Sequence, residues 1–156
     1  MWLLLVSAVF AQSLAELDAS RPPAPLTLAW ASPPLASMSR TGGNGPGRLQ
    51  YRLQADPRTF GTYAASAVSY EYIDGQLGTV LALFTNRFDA DGVRADLERA
   101  YGSPTYRDDD DKLQIWRGEK LRVVWRRQEA ELWMVSWSWL ALHGGDVDPD
   151  APPKAP

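Results

Sequence analysis

The segment from Asp89 to Leu140 constrains the fold most strongly, because its pattern predicts one capped helix followed by three short antiparallel strands. Asp89 can accept hydrogen bonds from the free N–H groups of a first helical turn. Gly102 can adopt the left-handed conformation that ends a helix, and Pro104 prevents the helix from continuing. The capping signals at both ends therefore predict a single helix that is complete by Gly102.

Three runs of β-prone residues follow this helix, and short polar turns separate them. The predicted strands are Leu113–Arg117, Lys120–Arg127 and Glu131–Leu140. Gly118-Glu119 supplies the first turn and residues 128–130 supply the second. Connections this short join neighbouring antiparallel strands, so the three runs should form one meander.

The middle of the chain contains a second hairpin signal, centred on Asp74-Gly75. A two-residue hairpin turn needs positive φ at both central positions, which aspartate and glycine tolerate. The flanking runs, Ser66–Asp74 and Leu77–Thr85, predict its two strands. Arg48–Gln54 alternates apolar and polar residues and predicts a further strand before them.

The region before Arg48 contains weaker secondary-structure signals. Leu26–Ala31 alternates well enough for a short strand. Ser32 can cap a helix with Pro33 at its first position, which predicts a brief helix over about 33–39. The glycine-rich stretch Thr41–Gly47 is typical of a flexible loop.

Together these elements predict an α+β fold with an antiparallel sheet of about six strands and two helices. The order helix-plus-three-strands occurs twice, so a duplicated αβββ unit is a further hypothesis. The same reading places one α+β domain at residues 26–142, after a linker at 12–25 and before a disordered tail at 143–156, which is rich in Gly, Asp and Pro.

The first residues have the composition of an export signal. Trp2–Phe10 is apolar, and small residues at positions 9 and 11 would suit cleavage after Ala11. A signal peptide at 1–11 and a periplasmic or secreted location in a bacterium are therefore expected. The apolar run is too short to cross a bilayer, which needs about 20 residues.

Composition narrows the possible functions. The chain has no cysteine, which excludes disulfides, thiolate metal sites and a cysteine-linked lipid anchor. Its net charge of −3 does not favour nucleic acid as a partner. No motif for a nucleophile, a phosphate loop or a cofactor is present, and we expect neither a cofactor nor a metal.

The candidate binding residues are aromatic and basic. Trp133, Trp137 and Trp139 alternate along the last predicted strand, and Arg122 and Arg126 alternate along the strand before it. Aromatic rings on a sheet can stack on ligands, whereas in a small domain they also serve as core. Tryptophan and arginine are enriched at protein interfaces, so these five residues are the predicted partner-binding set.

Several carboxylate groups are candidates for chemical sites. Glu71 and Asp74 could act as the acid and base of a small hydrolase. The acidic run Asp108–Asp111, followed by Lys112, resembles the recognition sequence of enteropeptidase and is read here as a solvated loop. His143, the single histidine, is read as a loop residue.

Four stretches together are similar to a pattern common in uncharacterised exported bacterial proteins. They are Leu28–Ser32, Tyr70–Gly75, Leu97–Pro104 and Trp116–Gly118. In that pattern a helix ends in Tyr-Gly-x-Pro and a hairpin with a Trp-x-Gly turn follows. The arrangement of elements also resembles outer-membrane assembly lipoproteins and β-lactamase-inhibitor-like domains. The resemblance implies an α+β envelope module and carries no catalytic residue.

The sequence thus favours an exported, non-enzymatic binding or assembly module of the bacterial envelope, whose partner is a protein or another envelope component. Two alternatives stay open at this point. One is a small cell-wall hydrolase that uses carboxylates, and the other is a purely structural domain.

Overall fold

The computed structural model describes residues 29–45, 47–54, 59–60, 63–84 and 89–136. Within these residues it contains nine strands and one helix. They are β1 (Met38–Gly45), β2 (Arg48–Leu53), β3 (Thr59–Phe60), β4 (Tyr63–Ile73), β5 (Gln76–Phe84), α1 (Ala90–Tyr101), β6 (Tyr106–Arg107), β7 (Leu113–Arg117), β8 (Arg122–Arg126) and β9 (Glu131–Val135).

Eight of these strands form one antiparallel row in the order β1-β2-β4-β5-β9-β8-β7-β6, and β3 pairs separately with the beginning of β4. The row consists of two meanders that meet where β5 pairs with β9. The last strand of each meander therefore lies at the centre of the sheet, and β1 and β6 form its two edges.

The β4–β5 hairpin forms at the predicted turn. Asp74 and Gly75 both have positive φ, 51° and 80°, as a tight two-residue hairpin turn requires. Nothing lies within 4 Å of the position that a Cβ on Gly75 would occupy, so conformation rather than crowding favours glycine there. The hairpin prediction is confirmed.

The helix prediction is also confirmed. The side chain of Asp89 accepts a hydrogen bond from the Gly92 N–H at 2.9 Å and caps the first turn. Gly102 ends the helix with φ 75°, and its N–H donates to the Glu98 carbonyl at 2.8 Å. Val93 and Leu97 are the buried residues of α1, so one stripe of the helix faces the core.

The core lies between α1 and one face of the sheet. Strand register places Val80, Met134, Val123 and Trp116 side by side across β5, β9, β8 and β7 on this face. They belong to the same apolar cluster as Val93 and Leu97 of the helix. Trp116 and Trp125 are both fully buried in it, and the Trp125 ring meets Phe84 edge to face at 5.9 Å.

The expectation of about six strands and two helices is wrong: the described residues form a mostly β fold around a single helix. No helix forms over 33–39. Ala31 and Ser32 instead bond to β5, through Ala31 N–H to the Leu77 carbonyl (3.0 Å) and Leu77 N–H to the Ser32 carbonyl (2.9 Å). Residues 29–31 are not a strand, and residues 26–28 lie outside the described part.

The stretch read as a flexible loop, Thr41–Gly47, is mostly strand, since β1 extends to Gly45. β1 pairs with β2 through two register shifts, one on each side of Gly42. A Cβ on Gly43 would lie 2.4 Å from the Arg48 carbonyl oxygen, so glycine permits the close approach of the two backbones. Low intrinsic strand propensity is overridden here by pairing with a neighbour.

The duplicated αβββ unit is wrong as well. Only the second meander, β6 to β9, follows a helix within the described residues, and the segment from residue 29 to β1 is irregular. The short edge strand β6 has no counterpart in the sequence prediction, because two residues carry too little periodicity to be recognised.

Candidate functional site

The face of the sheet opposite α1 carries the three predicted binding residues that the structure describes. We call it the Trp133 face. Strand pairing aligns three residues from each of β5, β9 and β8 on it: Thr79, Leu81, Leu83, Glu131, Trp133, Val135, Arg122, Val124 and Arg126. Trp133, Arg122 and Arg126, which were selected from sequence alternation, therefore share one face of the sheet. On this face Thr79, Arg122 and Val124 are buried, and the other six residues are half-buried.

Trp133 lies at the centre of this face, between Leu81 on β5 and Val124 on β8. Its indole N–H donates a hydrogen bond of 3.0 Å to the Glu131 carboxylate. An Arg126 Nη1 atom lies 3.9 Å from the same carboxylate oxygen. Glu131 thus orients the tryptophan ring and partly balances the charge of Arg126.

Arg122 is more deeply placed than a solvated positive stripe would require. Only 5% of its surface is exposed, and it lies directly between Val135 of β9 and Arg117 of β7. Like charges opposite each other on adjacent strands are unfavourable, and both arginines have other interaction partners as well.

Two of the other tryptophans belong to the core, and two lie outside the described residues. Trp116 and Trp125 point to the core face, and the Trp116 indole N–H donates to the Gly102 carbonyl at 2.8 Å. Trp137 and Trp139 lie outside the described residues. The same holds for the predicted signal peptide at 1–11, the linker at 12–25, the tail at 143–156 and His143.

Glu71 joins the Trp133 face from a more distant strand. It lies on β4, opposite Gln50 of β2 and Thr79 of β5. Burial raises the pKa of its carboxyl above the ordinary value of 4.5, and the nearby Arg48 charge acts in the opposite direction. Asp74, its proposed partner in acid–base chemistry, is exposed in the β4–β5 turn.

Replacing Glu71 with glutamine is expected to stabilise the protein near neutral pH. Because the folded-state pKa is raised, the unfolded chain ionises first as pH increases. The stability of the unmodified protein should therefore fall as pH rises from 4.5 through the raised folded-state pKa, whereas Glu71→Gln should lack this loss. Urea unfolding at several pH values measures the difference.

Glu119→Gln, in the exposed turn between β7 and β8, is the matched control for the exchange of a carboxylate for an amide. Destabilisation by Glu71→Gln at neutral pH would show that attraction to Arg48 outweighs burial.

The acidic run forms an ordered turn between β6 and β7. The Asp108 carboxylate accepts hydrogen bonds from the N–H groups of Lys112 (2.7 Å) and Leu113 (3.0 Å). Asp111 pairs with Arg107 at 3.2 Å, and a hydrogen bond from Lys112 lowers the pKa of Asp110. Among the described residues, no group of three or more potential metal ligands comes together.

This turn is expected to resist enteropeptidase while the protein is folded. The Leu113 N–H of the Lys112–Leu113 bond and the Lys112 N–H before it both donate to Asp108, and the Lys112 carbonyl accepts from the Arg127 N–H at 2.8 Å. A protease needs this backbone released from the sheet, so cleavage should follow local or global opening. Gel analysis of digestion in increasing urea tests this, with Asp108→Asn expected to be cut at lower urea. Rapid cleavage of the native protein would contradict the turn geometry.

Fold and surface together define a helix-backed antiparallel sheet with an aromatic and charged second face. Within the part of the chain that the structure describes, no helix has both the length and the apolar character needed to cross a membrane. Comparisons with protein-family models, curated proteins and solved structures found no match to this chain.

Proposed function

We propose that this chain is a non-enzymatic binding module and that its Trp133 face receives a protein partner. The observation that carries the proposal is the alignment of Trp133, Arg122 and Arg126 on the face opposite the helix. Tryptophan and arginine are the residues most enriched at the energetic centres of protein interfaces. Leu81, Leu83 and Val135 add aliphatic surface around them.

A protein fits this face better than a small ligand does. The surface extends over neighbouring strands and mixes apolar side chains with the Arg126–Glu131 pair, which resembles the composition of a protein interface. A site for a small molecule is concave and has converging polar groups.

An exported location, in the periplasm or outside the cell, belongs to the same proposal and rests on the apolar N-terminal sequence.

Affinity capture with three matched variants tests the proposed surface. Trp133→Ala and Arg126→Ala should each release a partner that the unmodified chain retains, since both remove side chains from this face. Arg99→Ala, on the exposed side of α1, is the control and should retain it. Equal retention by all three variants would contradict the proposal.

Sequencing the N-terminus of the protein recovered from cells tests export, with Gln12 as the expected first residue.

A hydrolase is the alternative, and the raised pKa of Glu71 is the one observation in its favour, because a general acid must hold its proton near neutral pH. Loss of cell-wall hydrolysis in Glu71→Gln, with folding intact, would support the hydrolase over the binding module.

A further inference from the structure

The two edges of the sheet carry opposite charge. The β1–β2 hairpin, residues 38–53, contains Arg40, Arg48 and Arg52 and no acidic residue. The other edge ends in β6 and the acidic turn, and residues 106–112 contain four aspartates, one arginine and one lysine, a net charge of −2. The sheet is therefore polarised from one end to the other.

The basic edge is the end of the row of described strands. β1 is the last strand of the row, so its outer backbone groups pair with no strand of the described chain. Arg40 lies opposite Tyr51 and Arg52 lies opposite Ser39, which places the two arginines on opposite faces of the hairpin. Both are exposed. An incoming segment at this edge would therefore meet a positive charge above and below the backbone.

The acidic edge has the complementary properties. β6 consists of only Tyr106 and Arg107, both exposed, and it ends the row on the other side. Asp109 and Asp110 are exposed in the turn that follows, whereas Asp108 and Asp111 are used within the turn. Asp110 pairs with Lys112, and the segment 106–112 as a whole still carries a net charge of −2.

We propose that copies of this protein associate head to tail, with the β1–β2 edge of one copy against the β6–β7 turn of the next. Opposite charges at the two ends steer this contact and favour it over edge pairing between like ends, where arginine would face arginine. Each copy retains one free end of each kind, so the contact is heterologous and propagates into chains. The proposal is independent of the Trp133 face.

Sedimentation velocity of the full chain at increasing concentration and low ionic strength tests the association. The sedimentation coefficient should rise with concentration and fall to the monomer value at about 1 M salt, where the Debye length is about 3 Å. Arg40→Glu/Arg52→Glu should weaken association at least about tenfold, as should Asp109→Lys/Asp110→Lys, since each turns attraction into repulsion. Arg40→Lys/Arg52→Lys keeps the charge and should keep the association.

Mixing the two charge-reversed variants supplies the decisive comparison. Neither should associate alone, but each now presents the complement of the other at both ends, so the mixture should recover the association. Trp133→Ala should have no effect. A chain that stays monomeric at low salt, an association that survives Arg40→Glu/Arg52→Glu, or a mixture that fails to recover it would overturn the proposal.

Discussion

Trp116→Ala is expected to lower the free energy of unfolding by about 3–5 kcal/mol, the usual cost of removing a large aromatic side chain from a core. Trp116 is fully buried on β7 and lies in the cluster that joins the sheet to α1. Its indole N–H also bonds to the Gly102 carbonyl at the end of the helix. A domain of this size has a total stability of about 5–15 kcal/mol, so this one change removes a large part of it.

Two further variants separate the contribution of the buried ring from that of its hydrogen bond and from that of a ring on the opposite face. Trp116→Phe keeps an aromatic ring and loses the bond to Gly102, so its cost should be smaller, about 1–3 kcal/mol. Trp133→Ala removes a half-buried ring from the opposite face and should cost less than Trp116→Ala. Urea titrations followed by circular dichroism measure all three. Equal losses of unfolding free energy for Trp116→Ala and Trp133→Ala would contradict the assignment of the Trp116 side of the sheet as the main core.

Stability is expected to fall by about 2 kcal/mol between pH 10 and pH 12 because of Tyr72. This side chain is fully buried on β4, where its hydroxyl donates to the Met38 sulfur at 3.2 Å. Burial, with smaller contributions from Tyr70 and Tyr51, raises its pKa from 10.0 to about 12. Above pH 10 the unfolded chain therefore loses this proton before the folded protein does.

The loss of stability at high pH follows from that order of ionisation. The contribution of Tyr72 is fully present below the unfolded-state pKa and is lost as pH rises toward the folded-state value, at about 1.4 kcal/mol per pH unit. Tyr72→Phe cannot ionise, so its stability should decline less over the same range. Unfolding midpoints in urea at several alkaline pH values give the comparison, and parallel curves for the two proteins would refute the assignment.

The sequence signals whose predictions were confirmed act between residues that are close together in the chain. The Asp89 cap, the Gly102 helix end and the Asp74-Gly75 turn each depend on the conformational preferences of one or two residues. Such preferences are strong enough to act without distant contacts, which is why the helix and the β4–β5 hairpin could be predicted closely.

The candidate site was predictable in part for the same reason. Alternation along β8 placed Arg122 and Arg126 on one face of that strand before any pairing was known, whereas their alignment with Trp133 of β9 appears only in the paired sheet. The roles of Glu131 and Glu71 could not be read in this way, because their positions relative to Trp133 depend on which strands become neighbours. The depth of Arg122 is likewise a property of the assembled sheet.

By itself, the sequence determined where the helix and most of its predicted strands lie and which residues alternate together along a strand. The tertiary structure alone decided that Thr41–Gly45 becomes an edge strand, that Ser32 bonds to β5 instead of capping a helix, and that two meanders meet at β5 and β9. The physical reason is that β pairing satisfies backbone groups across long sequence separations, and its free energy outweighs the weak local propensities of glycine and serine.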